Sequence, residues 1–297
     1  MSYKRILSIQ SYVVYGYVGN KCATFPLQLL GYEVDAINSV QFSNHTGYNY
    51  YSGSTLDGKQ CKDLFTGLKN NGLLCHSHIL TGYMASESIL KSVTYIIMAL
   101  KTKNSAIVYV CDPVLGDNDR LYVSETLVHL YRSELLPLAD IITPNQFEAE
   151  ILSGVKIVDD RSAKCAMEDL LRRGPLTVVI TSCIFPDDDK HLHIFCMNRN
   201  NFYFKQTVRK VEVSGTYTGT GDLFSALFLA WIDKENYNFE VACKKALATL
   251  QHIILDTKRY IEENKFSASN EAALRELRLI QNKEVIENPP VKLLERS

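Results

Sequence analysis

Several features that would assign a sequence to a class at once are missing from this chain of 297 residues. Its eight cysteines are scattered and include no C-x-x-C pair, so we expect reduced thiols and a cytoplasmic location. No apolar stretch approaches the length of a membrane span, and the run at residues 1–9 is too short for a signal peptide. The net charge of −1 gives no field for nucleic acid or an anionic membrane, so we predict neither as a partner.

The chain also lacks internal repeats, low-complexity linkers and any recognisable domain boundary. Its length suits one large α/β domain or two small ones, and 46% hydrophobic residues is an ordinary globular share. We therefore expect a single domain over residues 1–297.

A P-loop is missing as well. Residues 53–60 match G-x-x-x-x-G-K but end in Gln60, where the motif needs a hydroxyl to hold Mg²⁺. No buried strand precedes this stretch, because residues 48–52 are too polar. We interpret it as a hairpin turn.

What the chain does contain is an alternation of strand and helix patterns. An apolar run at 5–10 ends at Ser11, a helical pattern at 22–30 is stopped by Gly31, and a second run follows at 32–40. This rhythm predicts a parallel sheet with helices on its faces. Further strands are predicted at 77–80, 106–111, 140–142 and 177–180, a hairpin at 191–208, and helices at 62–70, 87–101, 223–232, 239–262 and 271–281.

Five predicted strands end in small hydroxyl, amide or carboxylate residues, and ligands lie beyond the carboxyl ends of parallel strands. Asp112 and Asp117 follow one strand and suit a divalent cation with its phosphates. Taken alone, this pair is equally well explained by turn formation, and Ser11 by an ST-turn. Residues 41–48 combine aromatic, hydroxyl and imidazole groups, which indicates a loop suited to a flat, polar small molecule.

The most informative stretch is residues 218–222, TGTGD, which leads into the apolar run 223–232. Glycines at a helix start let the backbone approach a ligand, and the N–H groups there favour an anion. Asp222 would repel a bound phosphate unless it acts as a general base, taking a proton from a hydroxyl beside the anion. The alternative is a helix cap, since Thr and Asp are good N-caps.

These residues together make the sequence similar to the eukaryotic pyridoxal kinases of the ribokinase superfamily. The blocks that carry the resemblance include 7–11 (LSIQS), 38–48 (NSVQFSNHTGY), 80–83 (LTGY), 110–117 (VCDPVLGD), 138–150 (LADIITPNQFEAE), 178–182 (VVITS) and 219–224 (GTGDLF). The resemblance implies a doubly wound α/β fold, a homodimer, and ATP-dependent phosphorylation of the 5′-hydroxyl of pyridoxal, pyridoxine and pyridoxamine.

The resemblance also assigns residues to the substrate. Ser11 and Thr46 would hydrogen-bond the substituents of the pyridine ring. The ring pocket would be lined by Val40, Phe42, His45 and Tyr83, with Gly219 and Asp222 beside the reacting hydroxyl. Gly219, Thr220 and Gly221 would form the anion hole, and Asp222 would be the base.

The cations and the nucleotide are assigned in the same way. Asp112, Thr143 and Thr181 would hold K⁺ or Na⁺, and Asp117 and Glu148 would serve ATP with Mg²⁺ or another divalent cation. The phosphates would be contacted by Asn145, Thr181, Ser182 and Thr220, and the nucleotide by the segment containing Val211 and Val213.

Two departures from the family pattern stand out. Only residues 118–121 separate Asp117 from Tyr122, where the family has a longer, glycine-bearing lid, and the stretch 210–219 is slightly longer than usual.

Two other functions stay open: a kinase for another hydroxymethyl heterocycle such as hydroxymethylpyrimidine, and a catalytically silent B6-binding protein. Retention of Asp222 speaks against the second, because binding alone needs no base.

Overall fold

The computed structural model describes residues 4–211, 216–264 and 270–296. The strands are β1 (Arg5–Val13), β2 (Glu33–Phe42), β3 (Gly53–Thr55), β4 (His78–Thr81), β5 (Val108–Cys111), β6 (Gly116–Asp117), β7 (Arg120–Leu121), β8 (Ile141–Ile142), β9 (Thr177–Phe185), β10 (Asp188–Asn198) and β11 (Tyr203–Arg209). In these residues one nine-stranded sheet has the order β11-β10-β9-β8-β5-β4-β1-β2-β3, and β6 pairs with β7 separately. The run from β9 to β2 is parallel, whereas β3, β10 and β11 are antiparallel.

Helices connect the parallel strands. They are α1 (Gly19–Leu29), α2 (Gly58–Asn70), α3 (Glu87–Lys103), α4 (Glu125–Leu130), α5 (Gln146–Ser153), α6 (Asp160–Arg172), α7 (Thr220–Lys234), α8 (Phe239–Asn264), α9 (Glu271–Leu274) and α10 (Lys283–Glu287). A π-helical turn (Tyr131–Leu135) and a 3₁₀ turn (Leu136–Leu138) extend α4, and further 3₁₀ turns lie at Ile280–Asn282 and Val291–Arg296.

The sheet separates two apolar cores, because successive side chains of a strand point to opposite faces. Leu7 and Ile9 pack with α2 to α6 on one face, whereas Ile6 packs with α1, α7 and α8 on the other. In β5, Tyr109 and Val110 divide between the faces in the same way. The predicted α/β class, with a mainly parallel sheet covered on both faces, is confirmed, and so is the buried helix at 223–232.

Two strands at the ligand edge are longer than predicted. β1 continues past Ser11 to Val13, and its pairing with β2 shifts register between Gln10 and Tyr12. Ser11 therefore lies inside β1, not in an ST-turn, and opposite a β-bulge at which β2 carries one residue more than β1. β9 continues past the predicted end at 180 to Phe185, because its antiparallel pairing with β10 reaches that residue, whereas its parallel pairing with β8 on the other side covers only Thr177 and Val178.

Two other predictions are wrong. Residues 53–60 form edge strand β3 and the start of α2, where Asp57 and Gln60 make a reciprocal capping box, so this stretch is not a hairpin turn. Lys59 is exposed and pairs with Asp63. The predicted helix 271–281 ends at residue 274, and Ile280, expected in its apolar stripe, is exposed.

All eight cysteines lie in the described residues and none forms a disulfide. No described helix combines the length and apolar character needed to cross a membrane.

Candidate active site

The glycine-rich stretch forms the N-terminus of α7 at the carboxyl edge of the sheet. Gly219 is the N-cap residue, with a left-handed φ of 88°, and no described side chain caps the helix. A Cβ on Gly219 would lie 2.2 Å from the carbonyl oxygen of Tyr17, so only glycine fits this close approach. The backbone N–H groups of the first turn can therefore receive an anionic ligand.

Asp222, in the first turn of α7, is held across the site and does not cap its own helix. Its Oδ2 accepts a hydrogen bond of 2.8 Å from the N–H of Gly19. Gly19 in turn is so close to Ser11 that a Cβ would lie 2.1 Å from the Ser11 carbonyl oxygen. Burial raises the pKa of Asp222, and the Gly19 hydrogen bond opposes part of this increase. The carboxylate is thus a poised acceptor beside the register shift between β1 and β2.

Behind the helix N-terminus, a chain of oxygens joins three elements. Ser225 Oγ donates to Asp112 Oδ2 at 3.1 Å and lies 2.8 Å from Thr143 Oγ1. A Cβ on Gly221 would lie 3.8 Å from Asp112 Oδ2, so Asp112 is next to the proposed anion hole. Burial, followed by the charges of Glu148 and Asp222, raises the pKa of Asp112.

Glu148 is buried under the loop after β5. It accepts hydrogen bonds from the backbone N–H groups of Leu115, Gly116 and Asn145, the last as part of a capping box at the start of α5. Asn145 Nδ2 donates to the Gly116 carbonyl at 2.8 Å. Burial raises the pKa of Glu148 to about 8, although the backbone hydrogen bonds lower it. The amide of Asn145 therefore positions Glu148 and the loop beside it.

The segment expected to be a short lid is a closed hairpin. Gly116 pairs with Leu121, and Asp117 with Arg120, across a two-residue turn. Asn118 and Asp119 have φ of 49° and 57° at the turn, as a type I′ hairpin requires. Asp117 is exposed at the base of the hairpin.

The remaining residues that we expect to contact the nucleotide belong to β9 and to the stretch after β11. Thr181 Oγ1 donates to the carbonyl of Pro144 at 3.4 Å, which brings it to the loop after β8 that also carries Thr143. Ser182 is partly buried next to it. Val211 is partly buried just beyond β11, and Val213 lies outside the described residues.

The residues assigned to the substrate pocket come from β1, β2 and the turn after β4. Val40 is buried, and Ser39 Oγ donates to the Tyr83 carbonyl at 2.8 Å. Phe42 closes β2 and packs on Tyr51 with ring centroids 5.1 Å apart.

The pocket loop, residues 43–52, connects β2 to β3 and carries the last two residues that we expect to bind the substrate. His45 is partly buried and Thr46 is exposed on this loop. A Cβ on Gly47 would lie 3.9 Å from Thr218 Oγ1, so the loop reaches the TGTGD stretch.

Sequence reasoning missed three residues at this site. Ser225 follows Asp222 by three positions and so faces the same side of α7, a spacing that could have revealed it. Gly19 donates to Asp222 from 203 positions away, and no local pattern indicates this contact. Glu276 contacts both His45 and the backbone at Tyr17 from the far end of the chain, and no local pattern marks it.

A parallel α/β sheet with a glycine-rich helix N-terminus, a carboxylate in the first helical turn and further carboxylates at the same edge is typical of the ribokinase-like kinases. The sequence profile of the family described as Phosphomethylpyrimidine kinase matches residues 74–266.

Similar proteins cover almost the whole chain. The chain is 43% identical to pyridoxal kinase of Homo sapiens over 302 residues, covering 97% of this chain and 96% of the relative. It is 45% identical to pyridoxal kinase of Arabidopsis thaliana over 293 residues, covering 97% and 93%. The structure of pyridoxal kinase from Leishmania donovani in complex with ADP and pyridoxamine matches with a TM-score of 0.87 at 38% identity, covering 97% of each chain. The chain belongs to the pyridoxal kinase family.

Proposed function

We propose that this protein transfers the γ-phosphoryl group of ATP to the 5′-hydroxyl of pyridoxal, pyridoxine and pyridoxamine, and so serves vitamin B6 salvage. The observation that carries the proposal is the pairing of an uncapped α7 N-terminus with Asp222, whose carboxylate is tied to Gly19 beside Ser11. The Leishmania donovani relatives were solved with ADP and pyridoxamine or pyridoxine, which supports the same substrate class here.

In the proposed reaction Asp222 is the general base. One of its oxygens accepts a hydrogen bond from Gly19, and the other remains to take the proton of the 5′-hydroxyl. As this proton leaves, the oxygen of the 5′-hydroxyl bonds to the γ-phosphorus and the bond to ADP breaks. The raised pKa of Asp222 makes the carboxylate a stronger base than an exposed aspartate. Gly219, Thr220 and Gly221 direct backbone N–H groups at the charge of the transferred group, which is the main demand of phosphoryl transfer.

The donor set around the helix N-terminus fits cations. Burial raises the pKa values of Asp112, Glu148 and Asp222, and neighbouring carboxylates raise those of Asp112 and Glu148 further. Among the described residues, no Lys or Arg contributes to these shifts. Uncompensated carboxylates at this density favour a bound cation. Asp112, Thr143 and Thr181 would hold K⁺ or Na⁺.

Asp117 and Glu148 would serve the divalent cation that accompanies ATP. Within the described residues, no three His, Cys, Asp or Glu side chains could hold a metal ion by themselves. The divalent cation would therefore share its ligands between the protein and the phosphates, where it supplies positive charge. Asn145, Thr181, Ser182 and Thr220 would contact the phosphates, and Val211 and Val213 would lie near the nucleotide.

The pocket residues would recognise the pyridine ring. Ser11 and Thr46 would bond its substituents, while Val40, Phe42, His45 and Tyr83 would enclose it. Val40 and Phe42 come from β2, and Tyr83 is tied to the same strand through Ser39, which supports one shared pocket.

Three further assignments belong to the proposal. The functional unit is one domain over 1–297, supported by the continuous sheet. The location is cytoplasmic, supported by eight free cysteines. The protein is a homodimer, supported by the exposed edge strand β3 and the exposed Tyr15, Tyr50 and Tyr51 near it.

The test is ATP consumption by the purified protein with pyridoxal, pyridoxine and pyridoxamine, each with and without K⁺. Hydroxymethylpyrimidine is the essential comparison, because the matched family profile carries a pyrimidine kinase name. That match begins at residue 74 and so excludes Ser11 and the pocket loop, which favours the B6 vitamers. If hydroxymethylpyrimidine is turned over faster than the B6 vitamers, the protein is a pyrimidine kinase. If no substrate is turned over, the protein is a catalytically silent binding protein.

A further inference from the structure

Glu276 is a buried carboxylate that no part of the proposed reaction uses. It follows α9, and its side chain is 9% exposed. Oε2 accepts a hydrogen bond of 2.8 Å from the backbone N–H of Tyr17, and Oε1 accepts one of 2.9 Å from the hydroxyl of Tyr48. The same Oε1 lies 3.4 Å from His45 Nε2. One side chain near the C-terminus thus binds two separate loops at the substrate edge.

The contact with the first loop continues to the anion hole. A Cβ on Gly16, which has a left-handed φ of 90°, would lie 2.2 Å from Glu276 Oε1, so the backbone lies directly against the carboxylate. The Tyr17 peptide next to it donates its N–H to Glu276. The Tyr17 carbonyl oxygen is the atom that a Cβ on Gly219 would approach to 2.2 Å. Glu276 therefore fixes the residue on which the N-cap of α7 rests.

The contact with the pocket loop fixes an imidazole. His45 Nδ1 accepts a hydrogen bond of 3.1 Å from the N–H of Gly47, so in the neutral ring the proton is on Nε2, facing Glu276. The ring of Tyr48 packs edge-on against His45 with centroids 4.8 Å apart. Glu276 thus determines the tautomer and orientation of His45 and holds its neighbour.

The pocket loop and the C-terminal segment that carries Glu276 face each other across open space. A cavity of about 820 Å³ separates them, lined by residues that include Tyr15, Gly47, Tyr50, Asn270 and Arg275. Among the described residues, the contacts of Glu276 with His45 and Tyr48 join the two elements beside this space.

We propose that Glu276 is a positioning residue for substrate binding: it holds His45 and Tyr48 of the pocket loop and the Tyr17 peptide beneath Gly219. This role rests on the proposed function, because the ligand that it prepares the pocket for is a B6 vitamer. Glu276 acts through these groups and does not itself touch the reacting atoms.

The test compares Glu276→Ala and Glu276→Gln with Glu271→Ala, a carboxylate of the same segment whose side chain is 81% exposed and pairs with Arg275. Loss of hydrogen bonds to a charged acceptor predicts a KM for pyridoxal about 10- to 100-fold higher in Glu276→Ala. Glu276→Gln, which keeps one acceptor oxygen, should fall between Glu276→Ala and the wild type. The KM for ATP should stay within about threefold in every variant.

Tyr48→Phe supplies a milder probe that removes one hydroxyl. As a single substitution, Tyr48→Phe should raise the KM for pyridoxal. In the Glu276→Ala background it should add little, because the hydroxyl has already lost its acceptor there. A KM for pyridoxal within twofold of wild type in Glu276→Ala, or a parallel rise in the KM for ATP, would overturn the proposal. If Glu276→Ala does not fold, Glu276→Gln and Tyr48→Phe decide by the same criteria.

Hydrogen exchange on the unliganded protein separates this inference from the function. The amides of Tyr17 and of residues 43–52 should exchange faster than in the wild type in Glu276→Ala. Their exchange rates should be unchanged in Glu271→Ala. If the wild type phosphorylates no B6 vitamer, the proposed function fails, and the exchange result still tests positioning. Unchanged exchange in an active enzyme refutes the positioning role alone.

Discussion

The helix α7 carries a carboxylate at each end, and the two have opposite environments. Asp222 is in the first turn at the ligand edge, and its observed partner is one backbone N–H, from Gly19. Asp233 is in the last turn at the opposite edge, where Lys4 Nζ and the Tyr32 hydroxyl each donate to it at 2.6 Å. His78 Nε2 lies 3.6 Å from the same carboxylate.

The pKa values of Asp222 and Asp233 are shifted in opposite directions from the ordinary aspartate value. Burial raises the pKa of both groups, but at Asp233 hydrogen bonds from His78, Lys4 and Tyr32 outweigh burial and lower it below its usual range. At Asp222 the single Gly19 bond does not outweigh burial, and the pKa stays raised. A paired carboxylate stabilises the fold, whereas a poorly paired one is kept at a cost in stability and is a candidate for function.

The largest expected effect separates these two residues. Asp222→Asn should lower kcat by about 10²–10⁴-fold, because a general base is lost. Its melting temperature should stay level or rise, since an unfavourable buried charge is removed. Asp233→Asn should keep most of the turnover and lose about 1–3 kcal/mol of unfolding free energy. The measurements are steady-state kinetics and thermal unfolding, and more than half of wild-type kcat in Asp222→Asn would refute the base.

Cation dependence should follow from the carboxylates that surround Asp222. Activity should require a monovalent as well as a divalent cation, because Asp112, Thr143 and Thr181 supply hard oxygen ligands. The assay replaces K⁺ and Na⁺ by a bulky organic cation at constant ionic strength, with Mg²⁺ present. Full activity under these conditions would contradict the monovalent site.

Glu148 should make the unliganded protein less stable as the pH rises. Its pKa is raised from 4.5 to about 8, so between these values the folded state holds a proton that the unfolded state releases. The free energy of unfolding should therefore fall by at most about 1.4 kcal/mol per pH unit in this window. Glu148→Gln should make this slope less steep, with the remainder coming from Asp112 and Asp222, whose pKa values are also raised, whereas Glu125→Gln, at an exposed position, should leave the slope unchanged. Denaturant titrations from pH 5 to 8 measure the slope.

Asp233 should have the opposite pH dependence. Because its folded-state pKa is lowered, its stabilisation is present above the ordinary aspartate pKa of about 3.9 and is lost as the pH falls below that value. Asp233→Asn should therefore be less stable than wild type at pH 6, with the difference narrowing in acid. A difference that is constant down to pH 2 would show that the carboxylate charge contributes nothing.

The smallest effect concerns the hairpin of β6 and β7. A two-residue turn at Asn118 and Asp119 has no slack to close over two ligands, so ATP hydrolysis without pyridoxal should be measurable, with a KM for ATP near the upper end of 1 μM–1 mM. Inserting a longer glycine-bearing segment between Asp117 and Tyr122 should lower both quantities. If the insertion changes neither, closure at this hairpin does not limit the enzyme.

The hairpin also shows where sequence reasoning stopped. The short spacing from Asp117 to Tyr122 was visible, but not that Asn118 and Asp119 would both adopt left-handed φ and close a turn. The bulge opposite Ser11 depends on how β1 pairs with β2, which the sequence of either strand does not reveal.

The sequence by itself determined the α/β class and the position of the helix that begins at the glycines. Both depend on local properties: the period of apolar residues, and glycine where the backbone must come close to another chain segment. It also predicted polar residues at successive strand ends, because parallel topology places those ends on one edge.

Only the tertiary structure decided how these residues are joined. Ser225 meets Asp112 across 113 positions, Gly19 meets Asp222 across 203, and Glu276 meets Tyr17 across 259. Such contacts depend on strand register and helix packing over the whole domain, and no local period encodes them. The same reason explains why two aspartates eleven positions apart on one helix have opposite pKa shifts: their partners come from distant segments.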